Sequence, residues 1–125
     1  MMQIQTGIDI IEVPRIQEAI ERQGKNFLKN VYTENEIAYC ESHNQMKYQH
    51  YAARFAAKEA IFKALSDKIK QEDDDILTKI EVENLETGKP IVHIEKLKIP
   101  NIISMDLSIS HLKEIAVASF VVLFS

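Results

Sequence analysis

Residues 48–66, YQHYAARFAAKEAIFKALS, leave this chain the fewest folds to choose from. The stretch holds no glycine or proline, is rich in alanine, and reads as one long helix. At 100° per residue, Phe55 and Phe62 point almost the same way with Tyr51 beside them. Glu59 lies about 40° to one side of Phe55, and Lys63 about 40° further round. Ala52, Ala56, Glu59 and Lys63 therefore form one row. Its two alanines predict open space above the helix, into which another chain or a ligand can come close. An ionised carboxylate at the edge of such a buried stripe is costly unless it is paired or binds a metal. The alternative is that Glu59 and Lys63 form a surface i,i+4 pair, worth only a few tenths of a kcal/mol.

The segments around this helix indicate what covers it. IQTGIDIIEV at the start alternates with period two and predicts a strand over 4–13, with Ile4, Ile8 and Ile10 on one face and Gly7, Asp9 and Ile11 on the other. Pro14 and Gly24 bracket a first helix with Ile16, Ala19 and Ile20 on one side. Thr33 and Glu36 make a capping-box signature for a second helix running to about Ser42. TKIEVENLETGKPIVHIE (78–95) predicts a hairpin turning at Gly88, and residues 104–124 a second one turning near 111–114. The expected fold class is α+β, an antiparallel sheet packed with a long central helix.

At 125 residues the chain is expected to be one domain, with a core fed by its 46% hydrophobic content. No run approaches the ~20 apolar residues of a membrane helix, and the first residues lack a signal-peptide pattern. The single cysteine, Cys40, has no internal disulfide partner, as expected in a reducing cytoplasm, and reads as a buried small hydrophobe. A net charge of −4 argues against bulk nucleic-acid binding. QEDDD at 71–75 reads as a solvated loop.

Asp9 is the second anomaly. It lies among isoleucines, beside a strand glycine that marks close approach by a ligand or another backbone, and aspartate is itself a poor strand former. Two local rules broken within three residues point to a site. A turn aspartate at a strand end is the plainer alternative. Two carboxylates with a nearby lysine suit Mg²⁺ holding a phosphorylated substrate, because Mg²⁺ prefers oxygen ligands, often carboxylates plus phosphate. Lys63 can then neutralise the departing phosphate. The four histidines show no paired metal spacing, and three glycines cannot build a P-loop or a GxGxxG turn.

GIDIIEVPRI (7–16) and RFAAKEAIFKAL (54–65) together resemble the two signature segments of the holo-acyl-carrier-protein synthases, which are 4′-phosphopantetheinyl transferases. ETGKP (86–90), SISH (108–111) and the total length agree with that likeness, so it spans nearly the whole chain. The resemblance implies a single transferase domain over residues 1–125. It implies a Mg²⁺-dependent enzyme of fatty acid and lipid biosynthesis, moving the phosphopantetheine arm of coenzyme A to a serine of apo-acyl carrier protein and releasing 3′,5′-ADP. By motif, Asp9 and Glu59 would hold the metal, and Glu59 or a metal-bound water would help deprotonate the serine. Lys63 would contact the transferring phosphate, and Arg54, Lys58 and His111 would lie near the coenzyme A phosphates. The family is typically a homotrimer with its sites between subunits, which would explain an open alanine row.

Acyl carrier proteins are acidic, and Arg15, Arg22, Lys25 and Lys29 gather on and just after the first helix, which the resemblance implies docks the carrier. An ordinary solvated face balanced by Glu18 and Glu21 is the alternative. One departure stands out: where the family has a glycine-rich turn after FKA, this chain reads LSDKIKQ, which predicts that the helix runs on past Leu65. Two other functions remain open: the same transfer to a specialised carrier, and a weakly active relative that binds coenzyme A or a carrier without transfer.

Overall fold

The computed structural model describes residues 1–70 and 74–125, and over them the class is α+β. Strand β1 (Gln3–Glu12) leads directly into helix α1 (Val13–Gln23). The change falls at Val13 because Pro14 occupies the first helical turn, while the Val13 N–H donates to the Glu114 carbonyl at 2.8 Å. Gly24 ends α1 at φ +58°, donating its N–H to the Ile20 carbonyl. A short helix that the sequence did not announce, α2 (Lys25–Val31), follows immediately. The capping box opens α3 (Glu34–Glu41): the Glu36 N–H donates to Thr33 Oγ1, and the Thr33 N–H donates to Glu36 Oε1. The long helix α4 spans Lys47–Leu65. Strands β2 (Glu81–Asn84) and β3 (Pro90–His93) form a small hairpin turning at Gly88, φ +90°. Strands β4 (Ile102–His111) and β5 (Ile115–Phe124) form the larger one.

β1 pairs antiparallel with β5, giving a three-stranded sheet in the order β1–β5–β4. α4 lies across this sheet. Ala56, Ala57, Ala60, Ile61 and Leu65 are without solvent exposure and share a core with Leu107, Ala118, Phe120, Val122 and Phe124. A second core joins the first half of α4, at Tyr51, Ala52 and Ala53, to Val13, Ile16, Val31, Tyr32 and Cys40. Cys40 is fully buried, and burial pushes its thiol up to about 12.

Three expectations change. The alanine row is not open: Ala52 and Ala56 are both fully covered within this chain, because small side chains let neighbouring elements close onto the helix. The alanines and Tyr51 are the buried anchors, while Phe55 and Phe62 stay only half-buried. α4 also stops at Leu65 without the glycine turn. The Leu65 carbonyl accepts from the Lys68 and Ile69 N–H groups at 2.8 and 3.1 Å, folding the chain back so that Ile69 packs on the core. Of the acidic loop, Asp74 and Asp75 are exposed and residues 71–73 lie outside the described residues. No described helix is long and apolar enough to cross a membrane.

Candidate active site

The alternation of β1 turns Gly7, Asp9 and Ile11 toward α4 and leaves Ile4, Ile8 and Ile10 outward. Gly7 is needed by the helix backbone. A Cβ there would collide with the Ala60 carbonyl oxygen, and would lie 2.8 Å from the Ala60 carbonyl carbon and 3.0 Å from the Ala64 nitrogen. Of the two causes that a strand glycine admits, the second backbone is the one present.

That close approach brings Asp9 to Glu59 and Lys63. The Lys63 Nζ donates to the Ile8 carbonyl at 2.9 Å and to Asp9 Oδ1 at 3.1 Å. Lys63 thus reaches across to the strand rather than back to Glu59, so the simple i,i+4 pair is not formed. The Asp9 side chain is only 17% exposed. Glu59 is half-buried, and its carboxyl is held above its ordinary range, first by loss of water and then by the Asp9 charge, against the opposing pull of Lys63. A carboxylate whose ionisation is resisted by burial and by a second carboxylate is one that a divalent cation would relieve. Two carboxylate donors fit the oxygen preference of Mg²⁺, with the remaining ligands drawn from water and substrate phosphate. Among the described residues no cluster of three or more His, Cys, Asp and Glu side chains offers a closed metal cage.

Arg54 leaves α4 about 140° round from Glu59 and serves a different surface. It is 2% exposed, its guanidinium lies 3.9 Å from the Tyr39 ring centroid, and its Nη2 donates to Asn84 Oδ1. Its Nε has no hydrogen-bond partner among the described residues. It lines a cavity of about 390 Å³ with Asn35, Tyr39, Glu81, Glu83 and Asn84. His111, at the end of β4, hydrogen-bonds Gln49 Oε1 through Nδ1 at 2.9 Å. Its ring meets His50 edge-on at 5.2 Å, and His50 lies 3.9 Å from His43. Burial, then His43, His111 and Arg54, pull the His50 imidazole down to about 4. This histidine row escaped sequence reasoning because His111 comes from a strand some sixty residues away.

Lys58 corrects the resemblance. Its side chain has no solvent exposure, and its Nζ is enclosed by Glu36 Oε1 at 2.6 Å and the Leu77 and Ile80 carbonyls, each at 2.7 Å. One residue from Glu59 means 100° round the helix, and that rotation aims Lys58 into the interior. Every ammonium donor is taken, so Lys58 is not available to a coenzyme A phosphate. Glu36 Oε2 in turn accepts the Val82 N–H at 2.7 Å, tying α3, α4 and β2 together.

Arg15, Arg22, Lys25 and Lys29 are all exposed. Arg22 is paired with Glu18 at 2.7 Å, while Lys25 opens α2 and Lys29 lies in its last turn.

Known proteins resemble this chain over nearly its whole length. The sequence pattern of the 4′-phosphopantetheinyl transferase superfamily matches residues 5–119. A holo-(acyl-carrier-protein) synthase of Clostridium tetani is 46% identical over 90% of this chain and 89% of its own. That of Ruminiclostridium cellulolyticum is 42% identical over 97% and 92%. The crystal structure of a Bacillus anthracis holo-(acyl-carrier-protein) synthase in complex with coenzyme A (3′,5′-ADP) superposes with a TM-score of 0.80, at 37% identity and full coverage of both chains.

Proposed function

This chain belongs to the 4′-phosphopantetheinyl transferase superfamily, and from that premise we propose that it acts as a holo-(acyl-carrier-protein) synthase. It moves the 4′-phosphopantetheine group of coenzyme A to a serine of apo-acyl carrier protein. The serine oxygen forms a new bond to phosphorus, the pyrophosphate P–O bond breaks, and 3′,5′-ADP leaves. The observation that carries this reading is the convergence of Asp9, Glu59 and Lys63 where the Gly7 backbone meets α4.

Asp9 and Glu59 would hold Mg²⁺, which when bound supplies positive charge to the transferring phosphate. Glu59, or a water that the metal would hold, would take the proton of the carrier serine. The half-exposed Lys63 ammonium lies within reach of a phosphate beside Asp9 and balances its negative charge. Arg54 and His111 would lie near the coenzyme A phosphates, without Lys58.

Arg54 faces away from Glu59 on the same helix, so one chain cannot present both groups to one ligand from one side. Ile4, Ile8 and Ile10 are 67%, 63% and 65% exposed, an apolar strip that a second copy would cover. Both features favour the homotrimer, with sites between copies. Arg15, Arg22 and Lys25, with Lys29, offer the acidic carrier a basic face; such rim charges set the on-rate more than the affinity. The setting is fatty acid and lipid biosynthesis in the cytoplasm, carried by one domain over residues 1–125.

The protein mixed with apo-acyl carrier protein, coenzyme A and Mg²⁺ should add the phosphopantetheine mass to the carrier, seen by mass spectrometry. Absence of that mass at high enzyme concentration refutes the transferase reading, and carrier binding without transfer supports a binding relative instead. Running several apo-carriers separates a general from a specialised substrate. Asp9→Asn and Glu59→Gln should each lower transfer by at least ~100-fold, about 2.7 kcal/mol of transition-state stabilisation, with the fold intact by circular dichroism. Wild-type rates in either would displace the metal from these residues.

A further inference from the structure

Lys63 stands where a metal site should be open. Its ammonium occupies Asp9 Oδ1 at 3.1 Å and is braced by the Ile8 carbonyl at 2.9 Å. One of the two candidate metal carboxylates is therefore already paired with a cation. A divalent ion ligated by Asp9 and Glu59 would bring two more positive charges against that ammonium, and like charges repel strongly beside a carboxylate that is only 17% exposed. The Ile8 hydrogen bond cannot hold the ammonium there alone, because a carbonyl is a weaker anchor than a carboxylate. The Lys63 side chain itself is 53% exposed and sits on the last turn of α4, so solvent gives it room to move away.

We propose that Lys63 is an exchangeable counter-ion for the metal site. It holds Asp9 until a divalent cation binds, is then displaced, and is thereby freed to meet the phosphate of the incoming coenzyme A. The exchange orders the events: the cation is seated first, and only then does the lysine become a phosphate ligand. It also weakens cation binding, since each ion must displace a resident ammonium. This inference rests on Asp9 and Glu59 being the metal carboxylates, and it concerns a step before any chemistry.

The test measures Mn²⁺ binding to the full-length protein without coenzyme A or carrier, by the electron paramagnetic resonance signal of free Mn²⁺. Lys63→Met should tighten binding roughly two- to fivefold, the range set by a half-exposed ion pair. The gain should persist from low to 0.5 M salt, because contact competition survives screening. The control Lys68→Met, which removes an equal charge elsewhere, should change affinity by less. Unchanged or weaker binding in Lys63→Met, or a gain that vanishes in salt or is matched by the control, overturns the exchange while leaving the metal carboxylates in place. Wild-type binding that survives Asp9→Asn and Glu59→Gln unaltered overturns both the exchange and the metal site. In Lys63→Met the transfer reaction should meanwhile be slower at saturating Mn²⁺, since the freed phosphate ligand is gone.

Discussion

The buried Glu36–Lys58 pair makes the strongest quantitative demand on this fold. Both side chains have no exposure, and the ammonium also satisfies the Leu77 and Ile80 carbonyls. Lys58→Met keeps the length of the side chain and removes the charge. Glu36 is then left as an uncompensated buried carboxylate, which typically destabilises by about 3–5 kcal/mol. Against a total stability on the order of 5–15 kcal/mol this is a large fraction. At about 2.1 cal/mol/K of unfolding entropy per residue, a chain of 125 residues should lose roughly 11–19 °C in Tm. Adding Glu36→Gln removes the stranded charge while keeping an acceptor for the Val82 N–H, so the double variant should recover at least about 1 kcal/mol over the single. Urea unfolding followed by circular dichroism, at one fixed protomer concentration, measures the whole cycle. A loss below about 1 kcal/mol in Lys58→Met, or strict additivity in the double variant, would refute the buried-pair account and reopen a ligand role for Lys58.

Gly7→Ala should push β1 off α4, destabilising by about 1–3 kcal/mol in thermal melts. Because it also shifts Asp9 from Glu59, transfer should fall by ~10–100-fold even where the variant stays folded; unchanged kcat would uncouple the strand–helix contact from the site. His50 titrates near 4 in the folded chain against 6.5 when unfolded, so below pH 6.5 the unfolded state binds the extra proton and stability falls as pH drops toward 4. His50→Phe should flatten that decline, and identical pH–stability curves would remove His50 as its source. Ile8→Glu, on the outward strip of β1, should convert the assembly to monomers by light scattering; an unchanged oligomer would place the interface elsewhere, and a monomeric wild type would remove the inter-copy site.

Much of this protein was legible in its residue order. The period-two start, the proline and glycine brackets of α1, the Thr33–Glu36 box and the two hairpins all depend on neighbours within a few positions, and each lies where local chemistry put it. The anomalies at Asp9 and Glu59 were equally local, since an aspartate in a strand and a carboxylate on an apolar helix stand out without partners. What could not be read locally was direction. Whether Lys58 meets a ligand or the interior depends on Glu36 and the Leu77 and Ile80 carbonyls, brought from two separate segments. Whether an alanine row is open or covered depends on which elements dock there: Ala52 is closed over by the core around Val13, Val31 and Tyr32, and Ala56 by the core of the sheet. The histidine row likewise needed β4 to bring His111 beside His50. Sequence alone determined the elements other than α2 and flagged the carboxylates, because propensity and pattern act at short range. Only the tertiary structure decided which charges were buried, which were paired and which remained free, because desolvation and ion pairing depend on groups distant in the chain.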